Sequence, residues 1–175
     1  MNKRRIILLI VDFLFALLLI AGDQISKYYA ILLLKDQPPY SVVDGVFELH
    51  YLENNGAAFG ILQGQKFFFL FIASIIIGMI LYVLFKMPYQ KKYIKLHLTL
   101  VLIASGAIGN LIDRVRFNYV VDFLYFSLIN FPVFNVADIY VTVAAFFLVI
   151  LLLFVYKETD LEFLSFRAKK FRDIK

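Results

Sequence analysis

No cysteine occurs among the 175 residues. That excludes disulfides, thiolate nucleophiles and cysteine-based metal or iron–sulfur sites, while leaving open which redox compartment the loops face. Histidine is almost as scarce: His50 and His97 lie in different segments and lack the spacing of a zinc helix, so no metal site is expected. Charged residues make up only 18% of the chain. With thiols and metals set aside, water activated by carboxylates is the default chemistry, with no cofactor.

What fills the chain is apolar. Its residues are 62% hydrophobic and its mean hydropathy is +0.82, well above the roughly 45–50% apolar content of a soluble domain. The apolar residues fall in four separated blocks, at about 6–21, 67–85, 96–112 and 136–156. At 1.5 Å per residue these run from roughly 24 to 32 Å, close to the roughly 30 Å hydrocarbon core of a bilayer. One integral membrane domain over 1–175 is expected, an all-α bundle of four transmembrane helices.

The net charge of +5 is first an orientation signal in such a chain, so no nucleic-acid partner is expected. Of the 18 Lys and Arg, 13 lie before span one, between spans two and three, or after span four. The remaining five are Lys27, Lys35, Lys66, Arg114 and Arg116. By the positive-inside rule both termini are cytoplasmic, and loops 22–66 and 113–135 face outward. A cleavable signal peptide is the rival reading of the first block, because KRR precedes it and AGD follows. The block is long for that role, and it contains Asp12, which reads either as a residue facing the bundle or, by preference, as a charge tolerated near the cytoplasmic interface.

The first outward loop is too long to be structureless. In YSVVDGVFELHYLE, Phe47, Leu49 and Tyr51 alternate with Glu48 and His50, the pattern of a strand, and Asp44-Gly45 reads as the turn before it. A small extracytoplasmic β-sheet and loop cradle is therefore expected on the outer surface. KYYAILLL, after Asp23, reads as a short helix along the interface. The C-terminal FLSFRAKKFRDIK mixes phenylalanine with basic residues, as an anchor to anionic lipid or a solvated tail.

Polar residues gather at the outward ends of spans one, three and four: GDQISK, SGAIGNLIDR and FNVAD. In span three, Gly106, Asn110 and Asp113 share one helical face and Arg114 borders it. The small residues there suit close helix packing as well as a site, and Asp113 and Arg114 also read as interfacial charges. Asp122 lies between apolar neighbours in VVDF, where desolvation raises a carboxyl pKa unless a cation such as Arg114 or Arg116 compensates. Asn135 and Asp138 have capping-box spacing at the head of span four. Capping explains why an acid is tolerated there, but not why Asp122 lies only sixteen residues before it. Two carboxylates in one pocket hold a single proton between them over a broad pH range. One can then act as base on a water while the other polarises a carbonyl.

Taken together, DQISK at 23–27, NNGAAFG at 54–60, SGAIGNLIDR at 105–114, VVDF at 120–123 and FNVAD at 134–138 resemble the motifs of the signal peptidase II family of intramembrane aspartic peptidases. They occur in family order and cover nearly the whole chain. The resemblance implies that Asp122 and Asp138 are the catalytic pair. It also implies that Asn110, Arg114 and Asn135 support them, and that Asp23, Lys27, Asn54 and Gly56 occupy the first-helix and outer-loop motif positions. The implied substrate is a prolipoprotein bearing a diacylglyceryl group on its own cysteine, cut by a monomeric enzyme among membrane lipids of the bacterial cytoplasmic membrane. The loop carrying Asn54 and Phe59 is expected to cover the substrate as a lid. Two positions depart from the family pattern: Ser105-Gly106-Ala107 stands where GGA is common, and Ile139 where a hydroxyl residue usually follows the second aspartate. The reading from another class is a small carrier or channel using the aspartates for proton or cation relay; the nearly apolar middles of spans two and four give it no continuous polar path.

Overall fold

The computed structural model describes residues 3–56 and 64–165. Among the described residues four helical segments, Lys3–Leu34, Lys66–Lys86, Lys91–Phe117 and Val136–Val155, are long and apolar enough to cross a membrane; they are built on α1 (Lys3–Leu34), α2 (Lys66–Lys86), α3 (Ile94–Phe117) and α4 (Val136–Ile150). A 3₁₀ turn at Lys91–Tyr93 leads into α3, and α4 continues as a π-helical turn through Leu151–Val155. Three strands, β1 (Tyr40–Val43), β2 (Phe47–Asn54) and β3 (Val120–Tyr125), form an antiparallel sheet in the order β1-β2-β3. The fold is therefore a four-helix membrane bundle with a small sheet at one end. The other end carries the start of α1, the α2–α3 connection and the segment after α4.

α3 is the central helix. Within the apolar window of its segment 56% of residues are buried, against 11% in each of the other three, so α1, α2 and α4 pack around it and turn their remaining faces outward. Leu96, Leu100, Val101 and Ala104 of α3 meet Ile80 and Leu84 of α2, together with Leu151 and Tyr156, in the core nearer the termini. Close approach at the sheet end depends on glycine. A Cβ on Gly106 would sit 2.5 Å from the Ala137 carbonyl oxygen, and one on Gly109 would sit 2.5 Å from Asp23 Oδ2. The small-residue run in α3 thus lets the backbone of α4 and a carboxylate of α1 come against it.

α1 is longer than the sequence suggests. KYYAILLL is not a separate interfacial helix; it continues α1 without a break to Leu34. Nothing in 22–34 stops a helix, and at 1.5 Å per residue the whole element is about 48 Å long. Asp23, Lys27 and Ala30 keep one face of this extension buried. Asp12 also differs from its reading as an interfacial charge: it is buried, and its Oδ2 lies 2.9 Å from Nδ1 of buried His97 on α3. Eleven residues is close to three helical turns, so Asp12 shares the face that carries Asp23.

The sheet forms as its alternation predicts. Asp44-Gly45 turns the chain, with Gly45 at φ 69° and Val46 N–H donating to the Val43 carbonyl at 2.9 Å. β2 pairs with β3 so that Leu52 faces Asp122 and Asn54 faces Val120. Ala30 of α1 packs against Val121 and Phe123 of β3. After β3 the chain doubles back, with Phe123 and Leu124 N–H both donating to the Phe134 carbonyl at 3.0 and 2.8 Å, and Phe134 N–H donating to Leu124 at 2.9 Å. This return delivers Asn135 and the first turn of α4 beside Asp122.

Candidate active site

Asp138 lies in the first turn of α4, and Asn135 caps that helix. The Asn135 Oδ1 accepts the Asp138 N–H at 3.0 Å, while Asp138 Oδ2 accepts the Asn135 N–H at 3.1 Å, a complete capping box. The cap does not exhaust Asn135. Its Nδ2 donates to Asp122 Oδ1 at 2.6 Å and to Asn110 Oδ1 at 3.1 Å. One buried asparagine therefore bridges the two aspartates, by its side chain to Asp122 and by its backbone to Asp138.

The remaining carboxylate oxygens are also met by amide donors. Asn54, at the end of β2, donates Nδ2 to Asp122 Oδ2 at 2.8 Å, and Asn110 of α3 donates Nδ2 to Asp138 Oδ1 at 2.8 Å. Each of the three asparagines has its oxygen held by a group that can only donate: Gly56 N–H on Asn54 at 2.9 Å, Lys27 Nζ on Asn110 at 2.8 Å, and Asp138 N–H on Asn135. That settles the amide orientations by chemistry, with every NH₂ pointed at a carboxylate.

The two aspartates open into a cavity of about 420 Å³, whose polar lining includes Asn54, Gly56, Asn110 and Arg114. Its opposite wall is apolar, formed by Phe131, Pro132, Val133 and Phe134 of the returning loop and by Ile139 and Val143 of α4. Asp122 is buried, and its carboxyl is pushed up to about 7. Desolvation is the main cause and the charge of Asp138 adds to it; the Asn54 and Asn135 hydrogen bonds and the Lys27 charge act the other way. The arrangement can hold one proton between two carboxylates and admit a water and a polar backbone.

Of the residues singled out in the sequence, Asp122, Asp138, Asn54, Gly56, Asn110 and Arg114 line this cavity and Asn135 joins them from below. Arg114 donates Nη2 to the Gly56 carbonyl at 3.1 Å and stacks 4.5 Å over the Phe69 ring. The cation paired with buried acids here is Lys27, not Arg114 or Arg116. Asp23 and Lys27 lie behind the cavity rather than on it, in a buried cluster with Asp113. Asp113 was weighed in the sequence as an interfacial charge, yet it is buried; its place three residues after Asn110 was the available signal. Ile139 leaves the hydrogen bonds of Asp138 complete, since Asn110 and Asn135 supply them. Phe59 and residues 166–175 of the basic tail lie outside the described residues. The segment containing Phe59 has its flanks drawn together by Gly64 N–H donating to the Asn55 carbonyl at 3.1 Å.

A bundle of four membrane helices under a three-stranded sheet, with a polar cavity at their junction, is a membrane-enzyme architecture. Two solved structures described as bacterial membrane enzymes are similar to this chain in fold. One has a TM-score of 0.71 at 29% identity, covering 91% of this chain and 94% of the other. The second has a TM-score of 0.72 at 31% identity, covering 83% and 94%. The signal peptidase (SPase) II family matches residues 15–154, and the chain belongs to that family. A lipoprotein signal peptidase of Streptococcus pyogenes serotype M5 (strain Manfredo) is 42% identical over 162 residues, 91% of this chain and 98% of the relative.

Proposed function

We propose that this protein is a membrane aspartic endopeptidase that removes signal peptides from diacylglyceryl-modified prolipoproteins, with Asp122 and Asp138 activating the attacking water. The observation that carries the reading is the bridge: Asn135 joins the two carboxylates on the floor of one cavity. Membership of a signal peptidase family and the names of the relatives support the substrate.

The pair shares one proton. The ionised carboxylate takes a proton from water as the oxygen attacks the scissile carbonyl carbon, and the protonated one hydrogen-bonds the carbonyl oxygen as negative charge develops there. Collapse of the tetrahedral intermediate breaks the C–N bond. The leaving amine takes a proton from the pair, and the carboxylic acid and amine products depart with the pair again singly protonated. Asn54, Asn110 and Asn135 keep the carboxylates in place through the cycle. Phe131, Val133, Ile139 and Val143 give the cavity an apolar wall suited to a residue that carries lipid chains. The working unit is one integral membrane monomer in the bacterial cytoplasmic membrane, with cytoplasmic termini and the site at the outer face.

The test is cleavage of a diacylglyceryl-modified prolipoprotein in detergent by wild type, Asp122→Asn and Asp138→Asn, with folding of each verified. Each substitution is expected to lower kcat by about 10²–10⁴-fold, the usual worth of a positioned acid or base. Robust cleavage by either folded variant would return its aspartate to a structural role.

A further inference from the structure

Behind the cavity lies a second carboxylate pair, with a lysine between its members. Lys27 Nζ is 2.9 Å from Asp23 Oδ2, 2.9 Å from Asp113 Oδ2 and 2.8 Å from Asn110 Oδ1. These three contacts use all the protons of the ammonium group. All three charged side chains are buried, Lys27 with 2% of its surface exposed.

The other contacts of the two acids show what the cluster holds. Asp23 Oδ1 accepts the backbone N–H of Ala137 at 3.0 Å, and Asp113 Oδ2 accepts the backbone N–H of Val121 at 3.1 Å. Ala137 immediately precedes Asp138, and Val121 immediately precedes Asp122. Each acid of the rear cluster thus grips the backbone N–H of the residue before one of the front aspartates, and the two grips are tied together by Lys27 and by Gln24, whose Nε2 donates to Asp23 Oδ2 at 3.2 Å and to Asp113 Oδ1 at 3.0 Å. At the front, β3 and α4 are joined by the Phe134 backbone bonds to Phe123 and Leu124 and by the Asn135 bridge. The rear cluster adds a second tie, from α1 through Asp23 to α4 and from α3 through Asp113 to β3.

We propose that Asp23, Lys27 and Asp113 are positioning residues for the reaction, a buried charge clamp that sets the separation of Asp122 and Asp138 and, through Lys27, the orientation of the Asn110 amide on Asp138. The proposal rests on the reading of Asp122 and Asp138 as the reacting pair. Burying three charges is a poor way to gain stability, because well-packed apolar side chains often do as well or better. A hydrogen-bonded cluster does fix geometry, and the spacing of two carboxylates around one water is the quantity this reaction needs fixed. Lys27 also acts at a distance on Asp122, where its charge opposes the upward shift caused by burial and Asp138. The charged groups facing the pair are Asp23 and Lys27 from α1 and Asp113 and Arg114 from α3.

Lys27→Met leaves two buried acids without their cation. The double variant Lys27→Met/Asp113→Asn is the better probe, because it keeps the cluster's formal charge and an oxygen for the Val121 N–H. Full-length protein in detergent is assayed on a diacylglyceryl-modified prolipoprotein from pH 5 to 9, alongside Asp122→Asn and Asp138→Asn. The folded double variant is expected to lose about 10-fold or more in kcat with KM within about two-fold, the signature of a misplaced reacting group rather than lost substrate binding. In folded Lys27→Met the alkaline limb is expected to move to higher pH, because the Lys27 charge no longer opposes protonation of Asp122. A folded double variant with wild-type kcat overturns the clamp. Should that variant fail to fold, Asp113→Asn decides: a several-fold kcat loss at constant KM supports the clamp and unchanged kcat overturns it. Activity surviving in Asp122→Asn or Asp138→Asn would sink the dyad and the clamp together, whereas inactive dyad variants beside a wild-type clamp variant would sink the clamp alone.

Discussion

Asp122 sits where a carboxylate is hard to ionise, and this has consequences in both activity and stability. Its carboxyl lies at about 7 rather than near the roughly 3.9 of an unfolded chain. Between those values the folded protein holds a proton that the unfolded chain has released, so stability falls as pH rises through that window and the loss is complete above it. The shared proton that the reaction needs leaves over the same upper limb. kcat is therefore expected to decline as pH rises past about 7, and thermal unfolding should show a fall in stability from pH 4 to 7 that is smaller in Asp122→Asn. A flat kcat up to pH 9 would contradict this. The acids of the front pair were legible in the sequence because each stands out against apolar neighbours or at a helix head. Asp12, Asp23 and Asp113 were harder to read: their spacing fixes helical faces, but only the packed structure shows that the α1 face with Asp12 and Asp23 turns onto the α3 face with His97 and Asp113.

Among the elements, α3 determines how closely α4 approaches, and the determining atom is one that glycine lacks. A methyl group on Gly106 would meet the Ala137 carbonyl oxygen at 2.5 Å and Val141 Cγ2 at 2.7 Å. The carbonyl is backbone and cannot yield unless α4 moves, and Ala137 is the residue before Asp138. Gly106→Ala is expected to cost about 1–3 kcal/mol, the usual range for overpacking, and to lower kcat by displacing Asp138. Gly78 in α2 is the control, since nothing lies within 4 Å of its Cβ position. Gly78→Ala should leave kcat unchanged and raise stability by up to about 1 kcal/mol through helix propensity. Differential scanning measurements with parallel cleavage assays distinguish the two, and equal behaviour would refute the packing argument. The four helices and the β1–β2 hairpin were readable from apolar length and alternation. The unbroken run of α1 to Leu34 was not, because an interfacial helix and the protruding end of a membrane helix have the same tyrosine-rich, half-apolar composition. β3 was hidden too: VVDFLY alternates poorly because both of its faces are covered, with Val120, Val121, Asp122 and Phe123 all buried.

At the scale of the whole molecule, the bundle has two unlike ends. The sheet, the cavity and the charge clamp lie at one, while the α2–α3 connection, the start of α1 and the segment that follows α4 lie at the other; in the sequence, 13 of the 18 Lys and Arg fall before span one, between spans two and three, or after span four. A basic excess of this kind keeps short segments on the cytoplasmic side during insertion, and the proposed orientation follows from it, with the cavity at the outer leaflet. A diacylglyceryl anchor on the proposed substrate would hold the adjacent peptide bond near the membrane surface, so the proposed reaction requires the site at that depth. Gln37, beyond α1 at the sheet end, and Gln90, between α2 and α3, are both exposed. Because the chain has no cysteine, a single introduced thiol reports its own location without background. In intact cells a membrane-impermeant maleimide should label Gln37→Cys readily and Gln90→Cys only after permeabilisation. The opposite pattern would put the cavity on the cytoplasmic face, where no lipid-anchored precursor exported through the membrane could present its cleavage site.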